Sequence, residues 1–143
     1  MTDEETVAWL NDQFPPCIRL ISGCAEAFSR SAQSLRMSFT AVPEFCHSGN
    51  IMQGGFVTAM LDASMAFSLI GLHPEQWVAT LEIKVSFIAP GHPGKLEGNG
   101  RVVHQGRSIA YLAGELSQEG RLVAAATSTV KRVRRQAAIV PGS

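Results

Sequence analysis

Two features of residues 46–72, CHSGNIMQGGFVTAMLDASMAFSLIGL, could do chemistry together: paired glycines at 54 and 55, and a single acid, Asp62, eight residues after the first of them. From Gln53 onward there is no proline until Pro74, and Ala, Met and Leu dominate, which predicts a helix of about five turns. The first turn of a helix carries unpaired N–H groups and a positive dipole end, and glycines leave that end bare, so an oxygen becoming negative would be held there. A carboxylate on an otherwise apolar helix is suited to activating water or attacking a carbonyl carbon. At the helical rise, Gly54 and Asp62 lie about 12 Å apart, so one carbonyl cannot touch both. They act on the same atom only if the acid comes from a second helix running antiparallel beside the first, which makes an isologous dimer part of the mechanism.

The elements that must position this pair are legible in order. Thr2 and Glu5 have capping-box spacing, and Val7, Leu10 and Phe14 recur at helical intervals, predicting an amphipathic helix over 3–13 that Pro15 and Pro16 stop. Strands are predicted over 18–28 and 34–39, then over 80–87 after His73 and Pro74 end the long helix. In TLEIKVSF, Leu81, Ile83, Val85 and Phe87 share one face, and Thr80, Glu82, Lys84 and Ser86 the other. Turn residues at 89–94, 105–106 and 119–120 separate further strands over 95–104, 107–116 and 121–133. An antiparallel sheet curled around one apolar helix satisfies all of these. The chain reads as one domain over 1–143, with 1–16 an appendage and 134–143 a tail.

Composition narrows the function classes. Of 143 residues, 45% are hydrophobic and 17% charged, and the formal net charge is zero, so no basic surplus argues for nucleic acid. The basic cluster at 131–135 reads as solvated. Cys17, Cys24 and Cys46 form no CxxC pair and read as buried, reduced thiols, without zinc or a disulfide framework. The start, MTDEET, lacks the basic and apolar regions of a signal peptide, and the run at 56–72 falls short of a membrane span. A cytoplasmic protein without membrane contact is the expectation. His73, His92 and His104 flank turns and are expected at the surface; Met52, Met60 and Met65 read as core. Phe56 and Met60 share a helix face that could bound an acyl pocket.

The element order and the motif HSGNIMQGGFVTAMLDASMA resemble the hotdog-fold acyl-CoA thioesterases, in particular the 4-hydroxybenzoyl-CoA and phenylacetate-pathway group, over roughly residues 17–133. In that group the loop resembles Asn-x-x-Gly-x-x-His-Gly-Gly, with Asp or Glu eight residues after the first paired glycine. Gly54, Gly55 and Asp62 match it; His47, Asn50 and Gln53 stand where the group often has Asn or Gln, Gly, and His. The strand TLEIKVSFIAP is also similar, with Thr80 in the place of a Ser or Thr that helps hold the attacking water.

The resemblance implies an α+β hotdog fold: five to six antiparallel strands around a long central helix, with a short N-terminal helix. It implies hydrolysis of an acyl-CoA or related thioester, the oxygen at the Gly54 N–H with help from His47 or Gln53, and Asp62 of the partner subunit as base or nucleophile beside Thr80. Asn50, Gln53 and Gly55 would line the substrate loop. Arg107 and Ser108, with Lys84 or Lys131, would meet the phosphates of coenzyme A, which is part of the substrate; no metal or redox cofactor is needed. The assembly would be a homodimer or homotetramer. Two other readings remain open, an acyl-CoA hydratase or dehydratase using His47 with Asp62, and a binding protein without turnover. A lone helical acid can also simply cap a loop or pair with a buried arginine.

Overall fold

An apolar helix and half-apolar strands leave one economical solution, and the computed structural model, which describes residues 1–135, adopts it. The elements in order are α1 (Asp3–Gln13), α2 (Pro16–Leu20), β1 (Cys24–Ser29), β2 (Ser34–Ala41), β3 (Cys46–His47), β4 (Ile51–Met52), α3 (Gly54–Leu72), β5 (Gln76–Phe87), β6 (Gly94–Gln105), β7 (Ile109–Gln118) and β8 (Arg121–Arg134). Six strands form one antiparallel sheet in the order β1-β2-β6-β7-β8-β5, and α3 lies in its concave face. This is the hotdog fold, with the short N-terminal helix in place. Met60, Leu61, Met65, Leu69 and Ile70 of α3 are fully buried against Phe39, Leu96, Leu112 and Leu116 of the sheet.

The helix can lie this close because β6 and β7 present glycines to it. A Cβ on Gly100 would collide with the Ser64 backbone, and one on Gly98 with the Ser64 side chain. Overpacking of this kind forces backbone shifts, so Gly100→Ala is expected to lower unfolding free energy by about 3 kcal/mol. Urea titration checks this, and an unchanged midpoint would contradict the close approach. Buried hydroxyls on α3 are satisfied within the helix: Ser64 donates to the Met60 carbonyl at 2.9 Å and Ser68 to that of Met65 at 2.6 Å. By length and composition α3 could cross a membrane, contrary to the expectation that it falls short. Its apolarity is accounted for by packing against the sheet.

Several expectations need correction. The strand predicted over 18–28 begins only at Cys24, because Pro16 opens a second helix at a position where proline's fixed φ and missing N–H fit, rather than merely ending the first. β5 starts at Gln76, four residues before the predicted start, and bulges between Thr80 and Glu82. None of the three cysteines is buried, and Cys17 is exposed. His73 and His92 are half-buried rather than at the surface. His73 contacts Gln105 through Nε2 at 2.7 Å, and the Nδ1 of His92 contacts the Asn50 carbonyl at 3.0 Å.

The basic cluster is part of the fold, too. Arg132 donates to Gln76 and the Gly106 carbonyl, while Arg135 lies between the rings of Trp9 and Trp77 at 5.4 and 5.1 Å. Thus the expected tail at 134–143 begins two residues later than predicted at the earliest; 136–143 lie outside the described residues.

Candidate active site

The chain enters α3 under tight control. β3 and β4 pair with each other, the Met52 N–H donates to the Gly91 carbonyl at 2.8 Å, and the Gln53 N–H donates to the Phe45 carbonyl at 2.9 Å. Gln53 then caps the helix, its Oε1 accepting the Gly55 N–H at 2.7 Å. Sequence reasoning expected a bare helix end and assigned Gln53 to the substrate. Instead a side chain one residue before the helix satisfies Gly55, and among the described residues it is the Gly54 N–H that has no acceptor. Gly54 lines a cavity of about 430 Å³ together with His47, Met52, Phe87 and Ile88. The Phe87 ring lies so close that a Cβ on residue 54 would meet it at 3.1 Å.

Asp62 opens elsewhere. Its Oδ1 accepts a hydrogen bond from the Thr80 hydroxyl at 2.9 Å, which joins the two residues read from separate stretches of sequence. It forms no ion pair among the described residues, so pairing with a buried arginine does not account for it. The carboxylate is half-buried beside a second cavity of about 240 Å³, which it lines with Thr80, Ala59, Ala63 and Trp77. Gly54 does not line that cavity, and Asp62 does not line the first. Groups displaced from their ordinary titration range lie on α1 and β1. Glu5 is lowered by its hydrogen bonds with Thr2, Cys24 is raised by burial, and Glu26 is lowered by the Ser38 hydroxyl.

The sequence profile of the Thioesterase superfamily matches residues 49–125, more than half of the chain, and spans both Gly54 and Asp62. The chain belongs to the thioesterase superfamily. Thioester hydrolysis is accordingly its reaction class. The phenylacetic acid degradation-related protein of Ralstonia eutropha JMP134 superposes on this thioesterase with a TM-score of 0.82 at 31% identity, covering 88% of this chain and 98% of that one. A thioesterase of Haemophilus influenzae (TM-score 0.80, 14% identity, 90% of each chain) shares the fold. So does the PaaI protein of the Escherichia coli phenylacetic acid degradation operon (0.77, 17%, 94% and 96%). An uncharacterized protein of Schizosaccharomyces pombe is 30% identical over 61 residues, 43% of this chain and about a third (35%) of that relative's length.

The remaining candidate residues of the thioesterase are dispersed. His47 is exposed and shares the first cavity with Gly54. Asn50 has φ 54° and its carbonyl contacts His92, so it shapes the turn. Gly55 is exposed but its N–H is occupied by Gln53. Arg107 and Ser108 are exposed at the β6–β7 turn, where Ile109 pairs with Lys131 and Lys131 with Ala79, next to Thr80. Lys84 lies beside Arg101 and Glu115 and lines neither cavity. Phe56 stacks on Phe45 at 4.3 Å and Met60 is fully buried, and neither lines the cavity at Gly54 or the one at Asp62.

Sequence reasoning missed α2, Phe67 and Trp77 as walls of the Asp62 cavity. One signal was available for it, the small residues Ala59, Ala63 and Ala66 flanking the acid at helical spacing.

Proposed function

We propose that this thioesterase hydrolyses an acyl-CoA ester as a homodimer in which two copies of α3 run antiparallel, each site combining the Gly54 N–H of one subunit with Asp62 of the other. The observation that carries this reading is that the unsatisfied amide and the unpaired acid of one chain open into different cavities, each holding half of the required chemistry. A further observation favours the second copy. β5 is an edge strand of 12 residues whose neighbourhood leaves Leu81, Phe87 and Ile88 58%, 59% and 58% exposed, although the sequence pattern marks two of them for burial. Pairing of β5 with its copy covers that edge and brings the helices together. Two such dimers would form the homotetramer.

In the reaction, the carbonyl oxygen binds at the Gly54 N–H, with His47 as a second donor across the same cavity. Asp62 removes a proton from a water that attacks the carbonyl carbon, or attacks it directly to give a mixed anhydride that a water then hydrolyses, freeing the acid and restoring Asp62, while Thr80 fixes the carboxylate's rotamer. The C–S bond breaks as the tetrahedral adduct collapses, and the thiolate takes up a proton. No step calls on a metal or redox cofactor. The phosphates of coenzyme A are met by exposed Arg107 and Ser108, with Lys131 beside them. This is intracellular chemistry, in keeping with a cytoplasmic location.

Free thiol released from a panel of acyl-CoA esters tests the activity. Site sharing is tested by mixing. Gly54→Pro and Asp62→Asn subunits, each inactive alone, are expected to recover about a quarter of wild-type activity when randomised into dimers, because half are mixed and each has one intact site. Confirmed mixed dimers without recovery would refute the shared site.

A further inference from the structure

We propose that α2 forms one wall of the acyl pocket, and that Ile18 on α2 and Ala66 on α3 limit the substrate to apolar acyl groups of short to medium length. The inference rests on the reading of Asp62 as the group that acts at the thioester carbonyl.

The cavity at Asp62 runs along α3, with lining residues on the helix turns before and after the acid. Ala59, Ala63 and Ala66 recur along one face of α3 with Asp62, and their side chains end at Cβ, leaving room beside the helix. Ile18 and Ile21, both buried, close the opposite side, and Phe67 and Trp77 close the back. That back wall is braced. Phe67 packs edge-on against Phe14 at 4.8 Å and against Trp77 at 5.9 Å. α2 is also held, by the Arg19 Nε, which donates to the Phe14 carbonyl at 2.9 Å.

The polar side chains in the lining are Asp62 and Thr80, which are the reacting end, with Cys17 and Trp77. A charged substituent on the acyl tail would find no opposite charge there and would be buried at substantial cost. Size follows from volume. At roughly 30 Å³ for each water-sized group, the cavity's 240 Å³ is on the scale of a medium-length acyl chain rather than a long one.

The test uses the full chain and CoA esters of acetate, hexanoate, octanoate, phenylacetate, dodecanoate and glutarate. Wild-type kcat/KM is expected to fall by about tenfold or more from octanoyl to dodecanoyl and from hexanoyl to the charged glutaryl ester. Ala66→Phe should lower kcat/KM for octanoyl and phenylacetyl esters relative to acetyl-CoA by about tenfold or more, and Ile18→Ala should raise the dodecanoyl-to-octanoyl ratio by about fivefold or more.

A second readout needs no turnover and no variant. Octanoate should slow alkylation of the exposed Cys17 by iodoacetamide, glutarate should not, and Cys24 and Cys46 serve as internal controls. Thiol release with a chain-length profile that neither variant moves, and no protection of Cys17, would overturn the pocket. Protection of Cys17 without thiol release from any ester would instead uphold the pocket and sink the hydrolase reading.

Discussion

Asp62→Asn is expected to lower thioester hydrolysis by about 10²–10⁴-fold, the usual range for loss of a positioned base. The substitution keeps the shape of the side chain, and an amide oxygen can still accept the Thr80 hydroxyl that now reaches Oδ1 at 2.9 Å. Because Asp62 pairs with no cation among the described residues, removing its charge leaves no buried partner unpaired. Stability and assembly should therefore stay at wild-type levels while kcat collapses. Thermal unfolding, sizing and thiol release measured on the same preparation check this. A variant that folds normally and retains more than about a tenth of wild-type kcat would exclude Asp62 as the acting group.

The second large effect concerns an atom rather than a side chain. Gly54→Pro deletes the N–H at the start of α3, and kcat is expected to fall by about 10²–10³-fold, as for loss of one oxyanion donor. Proline suits this position structurally. It is the first helical residue, the preceding Gln53 already has the extended φ −68° and ψ 138° that proline requires of its neighbour, and no hydrogen bond of the fold is lost. The control is Gly54→Ala, which keeps the N–H but brings a Cβ to 3.1 Å from Phe87. If alanine costs less than about tenfold while proline costs the full amount, the hydrogen bond is responsible. Equal losses would assign the effect to crowding by Phe87 and would remove the amide from the mechanism.

The two predictions differ in how visible their targets were. Asp62 stood out because a lone carboxylate on an apolar helix demands a reason, and its spacing from Gly54 already argued that one chain could not complete the site. The helix and hairpin succession were legible for a similar reason. Alternation and turn residues act locally, and Glu119 and Gly120, at φ 52° and 77°, adopt the left-handed conformations that a tight hairpin turn needs. What failed was the reading of residues whose role depends on a distant neighbour. Leu81 and Phe87 alternate as core residues but are exposed: Leu81 falls at the bulge between Thr80 and Glu82, Phe87 ends the strand, and nothing in the sequence of β5 says that it lies at the sheet edge.

Local chemistry in the sequence alone thus determined that a long apolar helix carries one acid eight residues after a pair of glycines, within a sheet of antiparallel strands. Folding in three dimensions decided that Gln53 occupies the Gly55 amide and leaves Gly54 unsatisfied, that Thr80 reaches Asp62, and that α2 closes a trough beside the acid. The physical reason is one of range. Backbone preference and side-chain periodicity act over a few residues and can be read in order, whereas hydrogen-bond pairing and cavity shape depend on groups that chain folding brings together from far apart.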